Sequence, residues 1–189
     1  MLDGLAQRDV HATFFLCGYR IELYPELTRQ IYEAGHEIGL HGYSHCSMQN
    51  MCPEEASVEI EKTMDLMPEG CRVTFLRSPG GQCGKCARAA AAQAGLAILN
   101  WSVDPQDWAT SESKSIEQHV LSRVRDGDVI LLHDMSDSSV DAALAIVDHL
   151  QKQGFRFVTA SELARQRNIT VIPGETYRRF PTPDPQNQK

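Results

Sequence analysis

Residues 36–45 read HEIGLHGYSH, and this stretch predicts a buried strand that runs directly into a polar loop. The run Glu37–Leu40 is short and mainly apolar, as buried strands of a parallel sheet are. His41 and His45 follow it, and two imidazoles four residues apart can face one metal ion if the segment turns helically. A pair of exposed loop histidines is the alternative. The position at a strand end favours the metal site.

Short apolar runs alternate with longer amphipathic segments on both sides of this stretch. The alternation predicts parallel β/α units, arranged as a barrel or as a doubly wound sheet. Several helix-type segments begin at a proline or end before a glycine, which suits the two ends of a helix. The predicted strands are residues 12–16, 37–40, 73–76, 97–101, 129–132 and 155–158, and the predicted helices are 25–34, 53–67, 86–94, 115–124 and 140–153.

The beginning of the chain departs from this alternation. Residues 1–8 have the character of the last turns of a helix that leads into the strand at 12–16, yet no strand precedes them. We therefore expect six strands around an incomplete barrel, with a gap beside residues 12–16. One catalytic-type domain is expected over residues 1–172, followed by an extended C-terminal tail over 173–189, where Pro, Gln and Asn become frequent.

The composition limits the classes of function. The chain has 189 residues, of which 42% are hydrophobic and 23% charged, as is typical of one globular domain. Its net charge of −7 leaves no basic stripe for phosphates, so no nucleic-acid partner is expected. No apolar run approaches the roughly 18 residues of a membrane span, and the N-terminus does not resemble a signal peptide. The six cysteines leave the redox compartment open.

Polar side chains able to do chemistry follow four consecutive predicted strands. Besides His41, they are Arg77, Asp107 and His133, and each comes shortly after an apolar run. The carboxyl ends of parallel strands lie on one face of the sheet, where β/α enzymes build their sites. We therefore expect these four residues and His45 to line one cleft.

An ordered set of motifs resembles the polysaccharide deacetylase family, also called carbohydrate esterase family 4 or the NodB homology domain. HEIGLHGYSH is similar to the second motif of that family, and ATFFLCG, from Ala12, is similar to the strand that precedes it. Each later match is weak alone, but together they follow the order of the family. They are Arg77-Ser78-Pro79 for R-x-P, Asp104 to Trp108 for D-x-x-D-W, Leu131 to Asp134 for the L-x-L-H type motif, and Thr159 to Leu163 for the last strand-to-helix turn.

The resemblance implies a distorted (β/α) barrel, here without its first strand, that removes acetyl groups from sugars with a divalent metal, commonly zinc. His41 and His45 would be metal ligands, and the metal would polarise the acetyl carbonyl and acidify a water. His133 would be the general acid that protonates the leaving amine. Asp107 would hold His133 charged and oriented.

The resemblance also implies roles around the reacting groups. Arg77 would pair with the aspartate that acts as base, and Trp108 and Leu131 would form apolar walls around the acetyl methyl. Pro79 and Gly80 would belong to the turn that offers a backbone N–H to the oxyanion. For Trp108, ordinary packing in the core is an equally good interpretation.

Three departures from the family pattern bear on activity. The first motif, usually T-F-D-D, would supply both the base and the third metal ligand, and no two adjacent aspartates occur in the sequence. Gly42 stands where the family usually has Ser or Thr, and Gly80 stands where an aromatic residue is usual. We therefore expect the chain as it stands to bind zinc weakly and to show little deacetylase activity.

Three functions remain open on the sequence alone. The first is a deacetylase of an acetylated amino-sugar polymer such as peptidoglycan or chitin-like oligomers, with an extracellular or cell-envelope location implied by the resemblance. The second is an inactive carbohydrate-binding relative of the same fold. The third is a redox or zinc-structured module that uses Cys83 and Cys86 with Cys46 and Cys52, although incidental free thiols are the simpler interpretation.

Overall fold

The computed structural model describes residues 1–182 of the chain, so the last part of the predicted tail lies outside the described residues. Internal contacts divide the chain into two compact units. The sheet unit comprises Ala12–Asn100 and Thr170–Tyr177. The helical unit comprises Met1–His11, Trp101–Ile169 and, among the described residues, 178–182.

The sheet unit contains a five-stranded parallel sheet in the order β1-β2-β3-β4-β5. β1 pairs with β2 in a register that sets Thr13 opposite Glu37 and Leu16 opposite Leu40. β1 lies at an edge, and no strand precedes it among the described residues. The open sheet confirms the predicted α/β fold and the gap beside this strand. The strands are β1 Thr13–Leu16, β2 Glu37–Leu40, β3 Phe75–Leu76, β4 Ala97–Leu99 and β5 Thr176–Tyr177.

Four helices of the sheet unit cover its apolar strands. The fully buried side chains of Leu40, Leu76 and Ile98 pack in one cluster with Ile60 and Ala91 from two of these helices. The chain begins the helix at Pro53 with a capping box in which the Cys52 and Glu55 side chains each bind the other's backbone N–H. The helices are α2 Gly18–Leu23, α3 Pro25–Glu33, α4 Pro53–Met64 and α5 Lys85–Gln93.

The helical unit is held by a core between its helices and the extended segments beside them. The first helix is tied to the longest one because the Arg8 guanidinium donates to both carboxylate oxygens of Asp148, at 2.7 and 2.8 Å. None of the described helices combines the length and the apolar character that a membrane crossing requires. The helices are α1 Leu2–Ala6, α6 Ser113–Leu121, α7 Asp137–Lys152 and α8 Ala160–Gln166, and the core cluster contains Val103, Ile116, Val120, Ala142, Ile146 and Leu150.

All five predicted helices are present, with ends shifted by at most three residues, but two predicted strands are wrong. Residues 129–132 contribute only an isolated parallel bridge between Ile130 and Val103. Residues 155–158 form no strand, and Phe155 and Phe157 are instead partly buried against the core of the helical unit. The alternation of Phe155 and Phe157 therefore reflects their burial against this core and not pairing in a sheet.

The segment predicted as a tail takes part in the fold as far as it is described. Thr176 and Tyr177 form β5, and the N–H groups of Ile98 and Asn100 donate to the carbonyls of Glu175 and Tyr177 at 2.8 Å each. Phe180 is completely buried, and its N–H donates to the Gly127 carbonyl at 2.7 Å. Residues 173–180 are therefore part of the two units and not a frayed end.

Candidate active site

The sheet unit places the two predicted metal-binding histidines together in the loop after β2. The rings of His41 and His45 have centroids 5.0 Å apart and planes inclined by 64°. His41 Nδ1 lies 2.7 Å from the carbonyl oxygen of Arg77. Because a carbonyl only accepts, Nδ1 carries the proton, and His41 Nε2 keeps the lone pair that a metal needs.

The histidine pair is not formed by a helical turn, which corrects the geometry expected from the spacing. Gly42 and His45 both adopt left-handed backbone conformations, with φ of +70° and +63°. These two residues fold the chain sharply and bring the second ring back beside the first. For His45 this conformation is uncommon, so the surrounding contacts must hold it.

Arg77 is buried at the end of β3, with 8% of its surface exposed. Its Nε donates to the Leu99 carbonyl at 2.9 Å, and its guanidinium lies over the Phe15 ring at 4.0 Å from the centroid. Burial lowers the pKa of the guanidinium to about 10, so it stays charged at neutral pH. A fixed cation therefore lies in the core of this unit, and its own backbone carbonyl orients His41.

Ser78 and Asn100, two residues that the sequence did not single out, shape the turn after Arg77. Ser78 Oγ donates to the Gln82 carbonyl at 2.7 Å and accepts the Met48 N–H at 3.2 Å. Asn100 Nδ2 donates to the Gly81 carbonyl at 2.9 Å. Both polar side chains are buried, so the turn is held from inside the protein.

Pro79 and Gly80, the predicted substrate-binding residues of this turn, differ in exposure. Pro79 is buried, whereas Gly80 is exposed and has a φ of +70°. No atom lies within 4 Å of the position that a Cβ on Gly80 would occupy. The missing aromatic residue thus leaves open space beside the turn.

The helical unit holds Asp107 and His133 as a hydrogen-bonded pair. Asp107 is 2% exposed, and its Oδ1 accepts the His133 ring Nδ1–H at 2.8 Å while Oδ2 accepts the His133 backbone N–H at 2.7 Å. Burial acts to raise the pKa of Asp107, but the hydrogen bonds from His133 and the Ser139 side chain outweigh it and lower the net pKa. An ionised Asp107 thus fixes Nδ1 as a donor and leaves Nε2 of His133 to exchange protons.

Trp108 follows Asp107 and is 61% exposed, so its interpretation as a core residue is wrong. With Met135, which is 75% exposed, it lines a groove of about 380 Å³. Leu131 is instead buried at 6% exposure, and its N–H donates to the Val103 carbonyl at 2.9 Å. The remaining side chains of the groove are mostly hydroxyls, from Thr110, Ser111, Ser136, Ser138 and Ser139.

The donor set of the sheet unit fits part of a divalent metal site. Imidazole nitrogen is a common ligand of such metals, and the tautomer of His41 is the one that ligation requires. Within residues 1–182, however, no group of three or more His, Cys, Asp or Glu side chains is placed to hold an ion. The six cysteines are free thiols. His41 and His45 thus offer two of the three protein ligands usual in catalytic sites.

The candidate residues thus divide between the two units. His41, His45 and Arg77 belong to the sheet unit, and Asp107 and His133 belong to the helical unit. The convergence of all five in one cleft stays a prediction. Two supporting residues were missed: Glu59, which binds the histidine loop, and Ser139, whose side chain helps to lower the pKa of Asp107. Glu and Ser on helices are usually solvated residues.

Curated relatives of the chain are deacetylases of the bacterial cell wall. The chain is 38% identical over 174 residues to a peptidoglycan-N-acetylglucosamine deacetylase of Bacillus cereus, with 89% of this chain and 82% of that protein covered. It is 36% identical over 165 residues to the peptidoglycan-N-acetylmuramic acid deacetylase PdaC of Bacillus subtilis, with 86% of this chain covered. The chain spans only 35% of the length of PdaC.

Solved structures of the same fold include an active and an inactive type of protein. A family 4 acetyl xylan esterase from Clostridium thermocellum, in complex with a cobalt ion, superposes with a TM-score of 0.88 at 28% identity over 95% of this chain and 90% of that one. A family 4 pseudoenzyme from Bacillus anthracis gives 0.81 at 26% identity over 86% and 58%. The family model for polysaccharide deacetylase matches residues 1–99. Together with the curated relatives, this match establishes that the chain belongs to the polysaccharide deacetylase family.

Proposed function

We propose that the chain carries the site of a metal-dependent hydrolase that removes acetyl groups from an acetylated amino-sugar polymer. One observation carries the proposal: His41 and His133 each donate Nδ1–H to a fixed acceptor, at 2.7 and 2.8 Å. In both rings this leaves Nε2 as the nitrogen that carries the proposed chemistry. Nε2 of His41 suits metal ligation, and Nε2 of His133 suits proton transfer.

His41 and His45 are proposed to hold the metal, with zinc the first expectation among divalent ions. When bound, the metal would polarise the acetyl carbonyl and lower the pKa of a coordinated water. Arg77, buried and charged beside the His41 loop, is proposed to favour an ionised carboxylate placed next to it. Such a carboxylate would serve as the base, and a second, adjacent carboxylate would be the third metal ligand.

His133 is proposed to act as the general acid. As the C–N bond of the acetamide breaks, the His133 imidazolium gives its Nε2 proton to the departing amine nitrogen. The oxygen of the attacking water ends in the carboxylate of acetate. Asp107 stays ionised throughout, because two donors from His133 already satisfy its oxygens, and it keeps the ring oriented.

The groove beside this pair supports an uncharged sugar as its occupant. Trp108 offers an exposed aromatic face, Met135 an exposed thioether, and the remaining lining side chains are mostly hydroxyls. Sugar rings present apolar C–H faces and a rim of hydroxyls, which match such a lining. We therefore propose N-acetylated glycans, peptidoglycan or chitin-like oligomers, as substrates and the cell envelope as the place of action.

The test compares residues 1–189 with the same chain extended by an N-terminal strand that carries two adjacent aspartates. Acetate release from acetylated chitooligosaccharides and from peptidoglycan is measured with added Zn²⁺ or Co²⁺. We expect metal-dependent release by the extended chain, and at least about 10²-fold slower release by residues 1–189, since the general base is missing. Equal turnover by both chains, or none by the extended chain with either substrate, would contradict the proposal.

A carbohydrate-binding protein without catalytic activity is the second candidate. Within residues 1–182 no third ligand accompanies the two histidines, and a family 4 pseudoenzyme has the same fold. This function predicts that residues 1–189 bind chitooligosaccharides with unchanged affinity after His41→Ala and release no acetate in either form. Binding is measured by the fluorescence of Trp108, with Trp108→Phe as the control for the signal.

A further inference from the structure

The loop that carries the two histidines is held by hydrogen bonds on both sides. Its carbonyls accept from the start of α2: the Gly18 N–H donates to the Gly42 carbonyl at 3.0 Å and the Tyr19 N–H to the Tyr43 carbonyl at 3.1 Å. Its amides face α4 instead. Consecutive backbone groups of the loop are therefore fixed by two different helices.

Glu59 of α4 accepts the hydrogen bonds that the amides of Tyr43 and Ser44 donate. Its Oε2 accepts the Tyr43 N–H at 2.7 Å and the Ser44 N–H at 2.9 Å. Hydrogen bonds to an ionised acceptor are short and about twice as strong as neutral ones. A single carboxylate oxygen thus fixes two of the four peptide groups that lie between His41 and His45.

Gly42 makes room for this carboxylate. A Cβ built on Gly42 would lie 2.9 Å from Glu59 Oε2, closer than real Cβ atoms approach other atoms. The left-handed backbone of Gly42 adds a second reason for glycine, since side chains disfavour a φ of +70°. The absence of a side chain at 42 and the carboxylate of Glu59 therefore depend on each other.

We propose that Glu59 is a positioning residue that sets the separation of the His41 and His45 imidazoles, and that Gly42 is required for it. His45 is exposed, has a left-handed backbone, and makes no side-chain hydrogen bond within residues 1–182. Its position thus depends on the peptide groups before it. This inference rests on the proposed function only in assigning the paired rings to a metal.

The first test uses the metal-free chain, so it does not depend on the proposed function. Nuclear Overhauser contacts between the ring protons of His41 and His45 are compared in wild type, Glu59→Ala and Glu59→Gln. Glu61→Ala, an exposed position of the same helix, is the control. We expect the ring contact to be lost in Glu59→Ala, weakened in Glu59→Gln, which keeps an oxygen acceptor without charge, and unchanged in Glu61→Ala.

Amide spectra of the rest of the chain separate a local effect from unfolding. If Glu59→Ala fails to fold, Glu59→Gln decides the question, because its amide keeps the shape of the side chain. An unchanged ring contact in a folded Glu59 variant would overturn the inference.

The second test measures Co²⁺ affinity by titration of its visible absorption. Partners that orient metal ligands typically contribute about 10- to 100-fold to affinity, so Glu59→Ala should weaken Co²⁺ binding at least about 10-fold. Glu61→Ala should match wild type. Equal affinity in Glu59→Ala would overturn the positioning role. If neither residues 1–189 nor the chain extended by the aspartate-bearing strand binds Co²⁺, the proposed function fails, and the ring contacts alone decide the inference.

The dependence between Gly42 and Glu59 is tested by a double variant. Gly42→Ser should weaken the ring contact in the wild-type background, because its Cβ meets the carboxylate. Because the ring contact is already lost in Glu59→Ala, the two backgrounds are compared by the urea midpoint of unfolding. The same serine has room in the Glu59→Ala background, so it should lower the midpoint less there than in the wild-type background. Purely additive effects of the two changes would contradict the steric link.

Discussion

The two groups of candidate catalytic residues are positioned in different ways. In the helical unit, His133 is held by a buried carboxylate that contacts both its ring and its backbone. In the sheet unit, His41 and His45 are held through backbone groups, from the Arg77 carbonyl and from Glu59. The Asp107–His133 pair is therefore oriented by the hydrogen bonds between its own two residues. The positions of His41 and His45 depend instead on several strands and helices of the sheet unit.

The largest expected effect separates these two groups by function. In the chain extended by the aspartate-bearing strand, His41→Ala should abolish Co²⁺ binding together with acetate release. His133→Asn should lower acetate release about 10²- to 10⁴-fold, the usual contribution of a general acid, and leave Co²⁺ affinity unchanged. For each variant, Co²⁺ affinity is measured by titration and acetate release by assay, on the same preparation of protein. A loss of Co²⁺ affinity in His133→Asn would show that the groups are not independent.

The next effect concerns stability. Asp107→Ala should lower the free energy of unfolding by about 3 kcal/mol, because the backbone N–H and the ring Nδ1–H of His133 both lose their charged acceptor. The measurement is the urea midpoint at pH 7. Asp134→Ala, at an exposed neighbour of His133, is the control and should change stability by less than about 0.5 kcal/mol. Equal losses in both variants would contradict the special role of Asp107.

A smaller effect is expected in the pH dependence of stability. The pKa of Asp107 is lowered in the folded chain, so its contribution to stability is fully present above the unfolded value of about 3.9 and is lost as the pH falls through the folded value. The difference in unfolding free energy between wild type and Asp107→Asn should therefore shrink below about pH 4. Urea titrations between pH 3 and 7 measure it. If the difference in unfolding free energy grows as the pH falls, the pKa of Asp107 is raised on folding and not lowered.

The smallest effects compare one serine from each group. Ser78→Ala leaves the Gln82 carbonyl and the Met48 N–H without their partner and should cost about 2 kcal/mol. Ser139→Ala removes the hydroxyl that accepts from Ser136 Oγ and helps to lower the pKa of Asp107, while Asp107 keeps both hydrogen bonds from His133, so it should cost about 1 kcal/mol. Thermal unfolding of both variants tests the order. A larger loss for Ser139 would mean that the acid–base pair is less self-sufficient than its contacts indicate.

Strong local patterns made predictable the first four strands, the proximity of His41 and His45, and the pairing of Asp107 with His133. β2 is a short apolar run that ends at His41, and the motif around Asp107 marks the pair with His133. β5 was missed because two residues, Thr176 and Tyr177, carry no periodicity. Strand pairing at the C-terminal end is decided by neighbours distant in sequence, which no local pattern contains.

Glu59 was missed for a related physical reason. Fourteen residues separate it from His45, and a glutamate on an amphipathic helix is usually a solvated charge. Its two hydrogen bonds exist only because α4 returns beside the loop after β2. Residues that act directly on a ligand tend to lie in recognisable motifs. Residues that support them are found only once the chain is folded.

Gly18, at the start of α2, has a consequence for how substitutions would be tolerated. A Cβ there would lie 2.4 Å from the Tyr43 ring and 2.8 Å from Thr63 Oγ1, so any side chain would push the helix away from the histidine loop. In a library of all single variants of the active, extended chain, selected for acetate release, variants at position 18 should be lost as often as variants at position 41. An evolutionary profile would then mark both as invariant, although one is invariant for what it binds and the other for the space it leaves empty.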